Sequence, residues 1–266
     1  MNRFLLALAL LLLSPGACLA AFDHTHARWE ALTQKYVAWL PGGHASQVDY
    51  SGLKAERQVL RSYLDELSSV AQTEYDTWSK PRKLAFLLNA YNAYTVELIL
   101  TKYPDVKSIK DLGSLFTSPW KKRFFSLLGQ PRHLDDIEHG MIRAPGAFDE
   151  PRIHMAANCA SIGCPALRPE AYVADKLEAQ LEDSVVRFLS DRSRNRVNAQ
   201  SGRLEVSKIF DWYGGDFAAQ AGSVQAWLAR YADHLADDPQ TRRALREGRL
   251  RLAFLDYDWA LNDLKR

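Results

Sequence analysis

The densest run of reactive side chains reads His154-Met155-Ala156-Ala157-Asn158-Cys159-Ala160-Ser161-Ile162-Gly163-Cys164-Pro165. A strand is predicted over 153–157, running into a small-residue turn that carries both cysteines. Three chemistries are open to this segment. Cys159 and Cys164 can close a disulfide in an oxidising compartment, with modest stabilisation because the loop is short. Cys159 can instead act as a nucleophile, provided a base or a positive dipole brings its thiol below the usual value of about 8.5. His154 and His139 are the available bases. Metal ligation is the third, but the spacing of His139, His154, Cys159 and Cys164 matches no zinc pattern, so no metal and no cofactor is expected.

Glu138-His139 is the next pair. On a helix, Asp135 and Arg143 each stand four residues from His139 and share its face. An acid beside an imidazole can set its tautomer and raise its pKa, or merely form a surface ion pair. Asn89 and Asn92 sit three apart within Leu84–Tyr94, a stretch that is otherwise apolar or aromatic. A buried amide needs partners, so both must face something polar. If the site is catalytic, either asparagine can orient the histidine or hold an oxyanion. Two aromatic–acid clusters, Phe210–Phe217 and Asp256–Asn262, complete the set. Trp212, Tyr213, Asp258 and Trp259, with Tyr91 and Asn92, are the candidate substrate-binding residues, or ordinary core anchors.

These residues need elements to hold them. Helical spacing is found over 28–40, 55–70, 134–143, 174–189 and 224–231. The clearest helix starts at Ser79-Lys80-Pro81 and stops near Lys102 and Pro104, with Ser79 placed to cap it. Extended segments are expected at 47–50, 124–128 and 251–255, and a hairpin at 194–207 around Ser201-Gly202. Helices and short strands alternate irregularly, which predicts an α+β fold: one domain over 21–266, with helices around a small mixed or antiparallel sheet. His24 and His26 fall in what reads as a floppy terminus.

The chain begins Met1-Asn2-Arg3, runs apolar from Phe4 to Leu13, breaks at Ser14-Pro15-Gly16 and reaches Cys18-Leu19-Ala20. That is the pattern of a signal peptide over 1–20, cleaved after Ala20. Its apolar run is about half of the ~20 residues a spanning helix needs. A periplasmic or secreted location follows as an expectation, with Cys159 and Cys164 the cysteines of the mature chain. The net charge of +2, or +1 without Arg3, argues against nucleic acid as the partner. No later apolar run is long enough to span a membrane.

Five segments taken together resemble the exported bacterial branch of the domain of unknown function 547 family. They are Phe86–Asn92, Ile137-Glu138-His139 with Arg143, His154–Pro165, Phe210–Tyr213 and Tyr257–Asn262. Leu87 stands where that family often has Trp. The resemblance implies an α+β domain and no particular reaction. There is also a loose likeness to papain- and transglutaminase-like folds. Asn89 would then occupy the place of the helix cysteine, and His154 that of the strand histidine. Two functions follow as expectations. One is a module binding a small-molecule or peptide ligand in a Cys/His/Asn/Glu pocket. The other is a cysteine-dependent acyl-transfer enzyme, acting on amide or thioester bonds, in which Cys159 attacks with His154 or His139 as base. Glu138 and Asn89 would complete that catalytic set.

Overall fold

A computed structural model describes residues 21–265 except 115 and 199. The signal-peptide reading therefore lies outside the described residues. The order is α1 (Ala27–Tyr36), β1 (Val37–Trp39), β2 (Ser46–Val48), α2 (Tyr50–Ala55), α3 (Arg57–Ser69), α4 (Gln72–Asp76) and α5 (Lys80–Leu100). The hairpin β3 (Phe125–Leu127) and β4 (Gln130–Arg132) follows, then a π-helix (Asp136–Ile142) and a 3-10 turn (Pro151–Met155). The second half holds α6 (Leu177–Ser190), β5 (Arg196–Asn198), β6 (Arg203–Val206), α7 (Ile209–Trp212), α8 (Gly214–Ala221), α9 (Val224–Ala229), α10 (Ala232–Leu235), α11 (Pro239–Arg246) and β7 (Arg251–Phe254). The fold is α+β. In place of one sheet, the described strands form three small ones: β1–β2, β3–β4, and β5–β6–β7, with β7 parallel to β6.

Helix α5 is the axis of the first half. Its 21 residues span about 30 Å. Every residue from Leu84 to Val96 is buried, so it is surrounded, as its unbroken apolar run requires. Pro81 lies in its first turn, but Ser79 makes no side-chain cap. The helix α3 lays Leu60, Tyr63, Leu64 and Leu67 against the core. The N-terminal segment is anchored, contrary to the expectation of a floppy terminus. His26 is buried with its Nδ1 2.7 Å from the Tyr63 hydroxyl, and the His24 ring meets Trp78 edge-on at 4.4 Å. The aromatic rings of Phe22, Trp78 and Phe86 give these histidines an apolar seat that composition alone does not show.

Two further expectations are corrected. The strand over 153–157 is a 3-10 turn: Ile153 and His154 are buried by tertiary contact without any ladder partner. His154 thus lacks the strand position that a papain-like reading gives it. The helix over 134–143 is wound wider than an α-helix, closed by a bond from Arg143 N–H to Glu138 C=O at 2.9 Å. Such π segments gather at functional sites.

The buried apolar residues fall into two clusters. One is built on α1–α5 and extends to Ile153, Ala156 and Leu181. The other is built on β6 and α7–α11 with Met155, Val185 and Phe188. The turn that carries His154 therefore straddles both: Ile153 and Ala156 enter the first cluster and Met155 the second.

Candidate functional site

The segment 156–172 is stapled to α5 by the two asparagines. Asn92 donates from Nδ2 to Ala156 C=O at 3.0 Å, and its Oδ1 accepts from Asn158 N–H at 2.8 Å. Asn89 does the same to Tyr172, donating to its C=O at 2.7 Å and accepting from its N–H at 3.0 Å. Each side-chain amide thus substitutes for a strand partner. Both residues are buried and neither lines the cleft described below.

The loop that follows is closed twice. Cys159 and Cys164 form a disulfide, and outside it Asn158 Nδ2 donates to Pro165 C=O at 2.8 Å. Ala160 takes a left-handed φ of 60°, and its N–H is held by Asn158 Oδ1 at 2.9 Å. A non-glycine residue there is strained and persists only when its surroundings hold it. In this oxidised form neither sulfur is a thiolate, so Cys159 is not available as a nucleophile.

The C-terminal tail straps the loop down. Ile162 N–H donates to Ala260 C=O and Gly163 N–H to Asp258 C=O, both at 2.8 Å, while Val48 N–H bonds Asn262 C=O at 2.9 Å. A Cβ on Gly163 would lie 3.0 Å from both Asp258 O and the Tyr257 ring, so the tail or the ring would have to give way for any larger residue. Alternate side chains of an extended segment point opposite ways. Tyr257 and Trp259 consequently turn inward, while Asp258 faces solvent and accepts from Ala260 N–H. The Tyr257 hydroxyl stands 3.1 Å from each sulfur of the disulfide.

Between the π-helix, the disulfide loop, α7 and the tail lies a cleft with a cavity of about 230 Å³. Tyr91, Glu138, His139, His154, Cys159, Trp212, Tyr213 and Trp259 all line it, with Asp135, Trp120 and Tyr257. Of the residues proposed from sequence, Asn89, Asn92 and Asp258 do not. Trp120 carried no motif and was missed. So was the role of Asp216, although it lies in a segment flagged for its acids.

Asp216 organises the polar side of the site. Arg143 grips it in a fork, Nε to Oδ2 at 2.6 Å and Nη2 to Oδ1 at 3.0 Å. His154 donates from Nε2 to Oδ2 at 2.8 Å. The His154 hydrogen bond, with Arg143 adding to it, holds the Asp216 carboxyl well below the usual carboxylate range. Burial pushes the His154 imidazole down despite that carboxylate, so the neutral ring carries its hydrogen on Nε2. The ring is stacked on Tyr213 at 3.9 Å between centroids. Arg143 also donates from Nη1 to His139 Nδ1 at 2.6 Å, and His139 Nε2 is 3.9 Å from Asp135 Oδ1. The four-residue spacings read from sequence are realised. Burial raises the Asp135 pKa. Glu138 is buried and accepts from the Tyr213 hydroxyl at 2.6 Å, with the Tyr91 hydroxyl also against it. Burial, then Glu138, pushes both phenols up.

The other side is aromatic. Trp120, Trp259, Tyr257 and Trp212 form a chain of contacting rings, at 5.7, 4.5 and 4.9 Å between successive centroids. Among the described residues no group of three or more His, Cys, Asp or Glu is arranged to hold a metal ion, and no helix is long and apolar enough to cross a membrane.

Fold and site together define an α+β protein with an aromatic-walled, carboxyl-bearing cleft beside a disulfide. Residues 75–189 match the model of a family described as a protein of unknown function, DUF547. That segment holds α5, the π-helix and the disulfide loop, whereas Tyr213, Asp216, Tyr257 and Trp259 lie beyond it. No curated protein and no solved structure gives a match.

Proposed function

We propose that the protein is a ligand-binding module acting outside the reducing cytoplasm, whose cleft takes one small molecule or one side chain of a peptide. The observation that carries this reading is the convergence of aromatic rings, imidazoles and two carboxyl groups, the buried Glu138 and the half-buried Asp135, on a single cavity, the usual composition of a ligand site. The disulfide supports it by stiffening a wall of that cavity, and by suiting an oxidising compartment. Three tryptophans line the cleft, so occupancy is readable in their fluorescence. A panel of small amines, alcohols and carboxylic acids is titrated against the intact protein. At least one class saturably shifts the emission, and Trp212→Leu removes most of that shift. Failure of every class to do so overturns the reading.

A second reading, cysteine-dependent acyl transfer, is favoured by the His154–Asp216 pair, which leaves a neutral imidazole lining the same cleft as Cys159. It requires the disulfide to be opened first. The two cysteine-to-serine variants separate the readings.

A further inference from the structure

Glu138 differs from several other buried or half-buried carboxylates among the described residues, which pair with an arginine. Glu97 is paired with Arg57 at 2.7 Å, Glu150 with Arg152 at 2.6 Å and Asp191 with Arg194 at 2.6 Å. Glu138 is 5% exposed and has no ion-pair partner among the described residues. Its hydrogen bonds come from two neutral phenols, Tyr213 and Tyr91. The nearby cation, Arg143, is committed to Asp216 and His139. Taking a carboxylate out of water is costly unless it is paired as well as hydrogen-bonded, and the two neutral phenols leave the Glu138 charge unpaired. The open side of Glu138 is the cleft, and among the described residues no lysine or arginine side chain lines that cleft.

The walls point to the same occupant. Aromatic faces are electron-rich and attract cations, most strongly where water is excluded. This chain already seats its own cations on two of these rings. Lys110 Nζ lies 3.9 Å from the centre of Trp259, and the Arg143 guanidinium 4.7 Å from that of Tyr213. A cavity of about 230 Å³ is below the ~300–1,000 Å³ of drug-sized sites, so it suits a head group.

We infer that the cleft binds an organic cation, an alkylammonium or quaternary ammonium group, with Glu138 as counter-ion and Trp120, Tyr257 and Trp259 as its cage. This rests on the ligand-binding reading and names its ligand class. The test uses choline and its neutral carbon isostere, in which a tert-butyl group replaces the trimethylammonium. Both are titrated into the intact wild-type protein and followed by tryptophan fluorescence and calorimetry. Choline binds saturably, and the isostere at least about tenfold more weakly. Glu138→Gln weakens choline about tenfold or more while the isostere is unchanged, which a general loss of structure would not produce. Equal or tighter binding of the isostere overturns the cation assignment and leaves the cleft as a binding site. Absence of choline binding also overturns it, and the ligand-binding reading then falls only if the amine, alcohol and acid panel fails as well.

Discussion

Asn89 and Asn92 show how a polar residue in an apolar run can be structural. Each places an amide within reach of both a backbone N–H and a backbone C=O. Truncation leaves two buried backbone groups unpaired, each worth roughly 1–3 kcal/mol. Asn89→Ala and Asn92→Ala are therefore each expected to cost about 3 kcal/mol of stability, measured by urea unfolding. Asn89 does not line the cleft, so an Asn89→Ala protein that lost ligand binding while keeping wild-type stability would contradict this assignment. The sequence showed that these amides needed partners. It could not show that the partners were backbone, because those belong to segments 64 and 83 residues away. Asp216 was obscure for the same reason: its ligands Arg143 and His154 are 73 and 62 residues distant.

At the scale of elements, the disulfide loop is the most constrained piece of the site. Its cysteines are five residues apart, and chain-entropy reasoning gives a short closed loop about 2 kcal/mol. Cys159→Ser and Cys164→Ser should lower stability by similar amounts near that figure, since either opens the same ring. Thermal denaturation of the two variants, with mass analysis of the tryptic peptide 153–176, checks this. The native peptide should be lighter by two hydrogens than its reduced form. A free Cys159 in the native protein, with a selective functional loss in Cys159→Ser, would favour acyl transfer instead. The 3-10 turn at Pro151–Met155 was misread as a strand because short apolar runs carry no reliable period. The π-helix was legible as a helix from Leu134, Ile137 and Met141. Its wider winding, which brings Asp135, Glu138 and His139 to one cleft, was not.

Across the whole molecule, the cleft lies where the two apolar clusters meet, with Tyr91 from one side and Ile209 from the other. Two histidines are buried in the neutral form. Burial pushes His26 down to about 3 and moves His154 in the same direction. The unfolded chain takes up these protons near pH 6.5, before the folded one does. Their stabilisation is therefore present above about pH 6.5 and is lost as pH falls toward the folded values. Asp216, whose pKa is depressed, keeps its contribution until pH drops below the ordinary carboxylate range of about 4. The urea midpoint should be highest above about pH 7 and decline through pH 6 to 4, and His26→Gln should flatten part of that decline. A midpoint that rises on acidification would refute the buried-neutral assignment.

The sequence by itself determined the α+β class, the helices α1, α3, α5, α6 and α9 to within a few residues, the β5–β6 hairpin, and the polar residues that had to find partners. These follow from local periodicity, turn chemistry and the cost of burying an unpaired group, all of which act within a few residues. Only the tertiary structure decided which of the flagged residues share a cleft. Tyr257 and Trp259 face it and Asp258 does not because the tail runs extended across the disulfide loop. Trp120 enters it by packing on Trp259, 139 positions away in the chain. Such pairings are set by how elements meet in space, and no periodicity within one element encodes them.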